Sequence, residues 1–382
     1  MKEKIPLNLD ILKWARISIG YSIEDVAKKL GKKFKTEVIE SWEEGNSSPT
    51  YVQLEKLANE IYKRPIALFF FPEIPSEESI KGDFRTLPDT ITASLPPQLI
   101  KLYRKAKVFQ YCLEELFENE KPIDKSIIDL TSIGDIGGLN EVVKEVRKIL
   151  NISIEEQSKW NSVNIGFKKW REALEIQGVF IFKDAFRVDD YSGFCLYSTK
   201  YPLIYVNNSF PFSRQTFTLF HELAHLLFHK GGIYFRDENI SNSFQGDYRN
   251  IEIFCNKFSN EFLVPTEIFN SFSLEVSESQ FETIASFFSV SREVILRNYL
   301  DRGIIDKNYY EKMAIKWIEQ SKQKTRKGIG NYYQNIRSYL GSNYVDLVLK
   351  KYYRNKISVE TASEYLNIKV KNFNNFEINT KE

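Results

Sequence analysis

Long apolar runs, paired cysteines and histidine are all scarce in this 382-residue chain. No stretch approaches the roughly 18 uninterrupted apolar residues that read as a membrane helix, and the start, Met1-Lys2-Glu3-Lys4-Ile5-Pro6, has no apolar signal core. Cys112, Cys195 and Cys255 are odd in number, widely spaced and without a CxxC, which excludes a disulfide framework and predicts reduced thiols in the cytoplasm. Lysine plus arginine total 53 against 51 acidic residues, so bulk charge argues for no nucleic-acid or membrane partner. A chain of this length ordinarily forms two or three domains with a substantial core.

What histidine there is falls in one place. All three lie within the nine positions 221–229, in Phe220-His221-Glu222-Leu223-Ala224-His225-Leu226-Leu227-Phe228-His229. His221 and His225 frame a glutamate in the order His-Glu-x-x-His, and positions i and i+4 of a helix share one face. Two imidazoles then reach one Zn²⁺, while Glu222 sits beside them to take a proton from a metal-bound water. A core helix that merely happens to contain these residues is the plain alternative, and the lack of histidine elsewhere speaks against it. His229 lies about 12 Å along the axis from His221 and is rotated by about 80°, too far for the same ion. A metzincin third ligand would fall at Gly231. His229 reads instead as a helix-end residue before Lys230-Gly231-Gly232.

The first 70 or so residues predict short helices. Leu9, Leu12 and Ala15 mark the first, ended by Gly20; Ser22 caps a second that carries Val26, Ala27 and Leu30 and stops at Gly31. A third covers 37–42, and a fourth follows Pro49-Thr50 with Leu54, Leu57, Ala58 and Ile61. Short helices on tight glycine turns are a helix-turn-helix arrangement. Tyr21-Ser22-Ile23-Glu24-Asp25-Val26-Ala27-Lys28-Lys29-Leu30-Gly31, with Ile39-Glu40-Ser41-Trp42-Glu43-Glu44-Gly45, resembles the XRE-type (Cro/repressor-like) DNA-binding domain. The resemblance implies DNA contact, with Lys32, Lys33 and Lys35 as candidates. Glu37, Glu40, Glu43 and Glu44 on the third helix would repel a phosphate backbone, so protein docking or dimerisation by the same module stands as the alternative to DNA contact.

The expected organisation is a mostly helical α+β chain with the helix-turn-helix bundle at 1–72, a linker and helical region at 73–164, a zincin-like domain at 165–272 and a helical region at 273–382. The linker is the Pro, Ser and Thr-rich stretch 76–97. The glycines of 134–138 lack the Lys-Ser/Thr of a phosphate loop. From Gly178 the period shifts to strands, at 179–182, 193–197 and 203–207, predicting a small antiparallel sheet. The histidine helix starts near Ser213, residues 230–249 read as a polar loop, and an amphipathic helix covers 250–263. The basic run 322–327 reads as a solvated helix end.

A catalytic zinc usually takes three protein ligands, and with no further histidine the third should be a carboxylate. Glu252 and Glu261 flank the stripe of Ile251, Phe254, Cys255, Phe258 and Phe262 about 180° apart, and periodicity does not choose between them. Arg214-Gln215-Thr216-Phe217-Thr218-Leu219-Phe220-His221-Glu222-Leu223-Ala224-His225 resembles the ImmA/IrrE metallopeptidase motif, as does the stretch from Glu252 to Pro265. In that resemblance Glu252 is the metal-binding glutamate; Cys255, Ser259, Phe262 and Val264 depart from the family pattern by small or apolar exchanges. The implied activity is that of a zinc endopeptidase with Glu222 as the base and His221, His225 and Glu252 on Zn²⁺. The implied substrate is a repressor-type or other regulatory protein encoded nearby. An extended substrate is expected to add to 203–207, and Tyr234 and Tyr248, in the loop, are oxyanion candidates. The competing class is a non-catalytic regulator or toxin–antitoxin component with a structural zinc, against which the intact Glu222 argues.

Overall fold

The computed structural model describes residues 5–75, 80–84, 92, 95–130, 138–235, 247–324 and 331–380. They are mostly helical, with one four-stranded sheet. The chain divides into two compact units, residues 1–82 with 87–105, and residues 83–86 with 106–382. Among the described residues no helix is long and apolar enough to cross a membrane. Most of the expected linker 76–97, the glycines of 134–137 and the side chains of the basic run 322–327 lie outside the described residues.

In the first unit, α1 (Leu9–Ser18), α2 (Ile23–Leu30), α3 (Thr36–Glu43) and α4 (Tyr51–Glu55) follow one another, with α4 continuing as a wider turn over Lys56–Tyr62. Local chemistry sets the boundaries. Ser22 and Asp25 form a capping box on α2, and Thr50 and Gln53 form one on α4. Gly31 ends α2 at φ 120, a value that favours glycine. Ile11, Leu12, Val26, Leu30, Ile39, Trp42 and Leu54 close the core. Glu43 does not face outward with the other acids of α3. It accepts two hydrogen bonds from the Arg16 guanidinium at 2.7 and 2.8 Å, from Nε and Nη2, a forked pair that leaves the Glu43 side chain 6% exposed. Glu37, Glu40 and Glu44 remain exposed, as do Lys32, Lys33 and Lys35 in the turn and linker before α3.

In the second unit, α5 (Val163–Ile176) leads into β1 (Phe180–Asp184), β2 (Tyr191–Leu196) and β3 (Leu203–Asn207). The sheet is mixed and not antiparallel. Its order is β1-β3-β2-β4, with β1 parallel to β3 and β2 antiparallel to β3. The chain runs along β1, returns along β2 and then places β3 between them, so β3 runs with β1 on one side and against β2 on the other. Three short apolar runs carry no signal for that insertion. β4 (Gly232–Phe235) lies inside the stretch expected to be a loop and pairs antiparallel with β2.

The histidine helix α6 (Phe212–Leu227) packs on the sheet, and α7 (Asp247–Leu263) packs against α6. Phe220 of α6 stacks on Phe262 of α7 at 4.1 Å, and both meet the edge of Trp170 from α5 at 5.2 Å. Each side chain this deeply buried contributes roughly 1.5–3 kcal/mol, so the three helices are held by their aromatic faces. The C-terminal region, which the sequence resemblance leaves unplaced, packs helix Tyr332–Leu340 against β1. Arg171 joins the two, donating to the carbonyls of Ile181 and Ser338.

Candidate metal centre

Helix α6 reaches the site because the sheet lets it come close. A Cβ on Gly193 of β2 would lie 2.5 Å from Thr218 Cγ2 and 2.9 Å from the Tyr205 carbonyl oxygen. That bare backbone allows α6 down onto the strands, which buries His221, Glu222 and His225 completely. Buried polar groups of this kind persist where they have a partner or a ligand to bind.

The partner of the two histidines is Glu252. Its Oε2 lies 3.4 Å from His221 Nε2 and its Oε1 lies 3.0 Å from His225 Nε2, while the two Nε2 atoms are 3.2 Å apart. One donor atom from each of the three residues falls within 4.8 Å of the others, and all three residues are buried. Neither Glu252 oxygen makes a hydrogen bond among the described residues, and the donor atoms of all three residues converge. Two nitrogens and a carboxylate in this arrangement suit a divalent metal.

The surroundings fix each donor. His221 Nδ1 donates to Asn256 Oδ1 at 3.1 Å, which leaves Nε2 as the acceptor that a metal needs. Asn256 stands one turn after Glu252 on α7, a spacing visible in the sequence but given no role there. Tyr234 of β4 stacks on the other side of His221, with centroids 3.9 Å apart and planes at 26°. Both Glu222 oxygens are buried without a hydrogen-bond partner among the described residues. Glu222 therefore sits beside the donors and not in their circle.

Charge follows burial and proximity. Burial pushes the Glu222 carboxyl up to about 8, against the pull of His225. Burial also disfavours charge on both imidazoles: at His221 it prevails and lowers the pKa, whereas at His225 the adjacent Cys255 and Glu252 outweigh it and the pKa rises well above the usual value. Burial likewise opposes charge on Glu252, but His225 and His221 hold that carboxyl below the ordinary carboxylate range.

The other sequence candidates fall elsewhere. Glu261, in the last turn of α7, accepts from the Thr266 backbone N–H at 2.9 Å and from its hydroxyl at 2.6 Å, at the start of the short helix Thr266–Phe269. His229 lies beyond the end of α6 at φ 57, with Nε2 3.1 Å from the Ile128 carbonyl oxygen. Tyr234 is a strand residue and not a loop aromatic, and the Tyr248 side chain lies outside the described residues. Strand addition at 203–207 is excluded, because β3 is bonded to β1 on one side and β2 on the other.

Residues 174–299 match the IrrE N-terminal-like domain family, Peptidase_M78. That span contains the sheet, α6 and α7, and with them the whole buried His-His-Glu group. It is a metallopeptidase-like domain with a group able to hold a metal. The match begins at residue 174 and does not bear on the XRE-like stretch. No curated protein matches the chain.

Proposed function

We propose that this protein is a zinc-dependent endopeptidase that cleaves a regulatory, repressor-type protein partner. The observation that carries the reading is the convergence of His221, His225 and Glu252 beside a buried Glu222. Zinc held by these three groups supplies Lewis-acid chemistry, polarising a peptide carbonyl and making a water acidic near neutral pH. Glu222 accepts the proton of the attacking water and passes it to the leaving amide nitrogen. Asn256 keeps His221 in the tautomer that binds metal, and Tyr234 holds the ring's plane.

The XRE-like unit then brings the enzyme to DNA or to its substrate. Lys32, Lys33 and Lys35 are exposed beside α3, and the turning of Glu43 onto Arg16 lessens the acidity that α3 presents. The three free cysteines support a reducing cytoplasm. The experiment is capture of the partner from cell extract with a Glu222→Gln variant, followed by incubation of each captured protein with wild type. Cleavage by wild type and not by the variant is expected. Zinc binding without cleavage of any captured protein would transfer the function to a non-catalytic regulator with a structural zinc.

A further inference from the structure

Independently of the peptidase reading, we propose that the last two helices of the chain bind duplex DNA through its major groove. The C-terminal region folds as α8 (Tyr332–Leu340), α9 (Ser342–Tyr353), α10 (Val359–Tyr365) and α11 (Phe373–Thr380). Ser358 caps α10, accepting from the Thr361 backbone N–H at 3.2 Å. The helix stops at Leu366, and Asn367 turns the chain at φ 53, a conformation that asparagine adopts more readily than most residues. A single tight turn over Val370–Asn372 then leads into α11. Two short helices joined by so brief a turn form a helix-turn-helix unit. Ala362, Leu366, Phe373 and Phe376 are its fully buried side chains. Helix α9 braces both members: the Tyr344 hydroxyl donates to the Tyr365 carbonyl at 3.2 Å, and Tyr352 meets Phe373 edge-on, with centroids 4.8 Å apart.

Such a unit places its second helix in the major groove, which needs a bare face free of carboxylates. Phe373 and Phe376 occupy the inner face of α11. Lys371, Asn374, Asn375 and Ile378 recur at helical spacing on another face, and all four are exposed, Ile378 to 69%. From Lys369 to Ile378 the one carboxylate is Glu377, which is half-buried and accepts from the Tyr353 hydroxyl. Helix α3 of the first unit, by contrast, exposes Glu37, Glu40 and Glu44. The free face of α11 also has the chemistry of base readout. An asparagine amide pairs with the adenine edge and an apolar side chain covers the thymine methyl, so this face selects A·T pairs. Lys369 and Lys371, exposed where the turn enters α11, suit the flanking phosphates, as do Arg354 and Lys356 before α10. Glu360 and Glu364, exposed on α10, offset part of that attraction, so affinity leans on the groove contacts. The major groove of B-form DNA admits a helix, whereas that of duplex RNA is too narrow, which makes DNA the ligand.

The test uses full-length protein carrying Lys32→Gln, Lys33→Gln and Lys35→Gln, which removes the candidate contacts of the first unit. The probes are fluorescein-labelled duplexes two helical turns long, of random A·T or random G·C sequence, and an RNA duplex of equal length. Fluorescence anisotropy at low salt should show the A·T pool bound about tenfold more tightly than the G·C pool, and the RNA duplex weakest. Adding Asn374→Ala with Asn375→Ala should abolish the A·T preference. Adding Lys369→Gln with Lys371→Gln should instead weaken both DNA pools alike and reduce the salt slope of log affinity by about 2. All four side chains are exposed, so circular dichroism should not change. An A·T preference that survives the asparagine pair, RNA bound as tightly as DNA, or DNA binding untouched by both pairs would each overturn the proposal. Absence of binding to either DNA pool would overturn it as well and leave this face to a protein partner.

Discussion

Gly232 presents its backbone directly to the imidazole of His225: a Cβ there would lie 2.5 Å from Cγ and 2.9 Å from Nδ1 of the ring. The metal-binding face of α6 is thus spaced from β4 by the absence of a side chain. Gly232→Ala should push the His225 ring off its position and lower metal affinity, with circular dichroism unchanged. Retention of a full equivalent of zinc by this variant, measured by atomic emission after dialysis, would show that the contact sets nothing.

The two glutamates of α7 should separate cleanly. Glu252→Ala removes a donor from the buried group, so zinc content should fall from about one equivalent to near zero, as for His221→Ala and His225→Ala. Glu261→Ala removes a cap on Thr266 and should cost about 1 kcal/mol of stability with zinc retained. The reverse pattern would displace Glu252 from the centre.

Asn256→Ala should leave zinc bound but weaken it by about 10–100-fold, the usual cost of losing a group that orients a histidine ligand. Competition with a fluorescent chelator reads this out. Asn256→Asp, which keeps an acceptor opposite Nδ1, should bind more tightly than Asn256→Ala; equal affinities would assign the residue to packing.

Glu222→Gln should keep zinc and fold while cleavage of the captured partner falls by at least about 10²-fold. Wild-type rates in this variant would remove Glu222 from the reaction.

The same residue makes chelator-stripped protein sensitive to pH. Burial holds the folded carboxyl at about 8, against an ordinary value of 4.5. The folded state binds this proton more tightly, so the contribution to stability is full below 4.5 and is lost as pH rises through about 8. Stripped wild type should therefore lose more thermal stability between about pH 5 and about pH 9 than stripped Glu222→Gln does. Parallel Tm profiles for the two proteins would contradict a carboxyl whose proton affinity is raised by burial.

The features legible in the sequence are those written in local spacing. Ser22, Gly31 and Thr50 bound helices by capping chemistry that acts over three or four residues, and His221 and His225 share a face by helical pitch alone. What stayed hidden depends on residues far apart in the chain. Nothing near Glu43 announces Arg16, which lies 27 positions earlier, so the acid counted as repelling DNA is in fact neutralised. β4 is four residues long and begins at the second of two glycines, too short for periodicity to outweigh a turn signal. The parallel pairing of β1 with β3 follows from β3 entering between two earlier strands, a choice made by packing. Glu252 and Glu261 are equivalent on a helical wheel, and the family resemblance, not the wheel, distinguished them.

Glu252, Asn256 and Asn260 succeed one another at one-turn intervals along α7, serving the metal group, the His221 tautomer and a reciprocal amide pair with Asn298 in that order. Inserting a single residue between Glu252 and Asn260 would rotate the later positions by about 100° and detach them from whatever the earlier ones touch. The segment should therefore accept many exchanges of its outward residues, as Cys255 and Ser259 already suggest for its inner ones, while tolerating no change of length. Libraries that vary this helix by deletion and insertion should weaken zinc binding when the indel falls between Glu252 and Asn256, because only one of the two can then face His221.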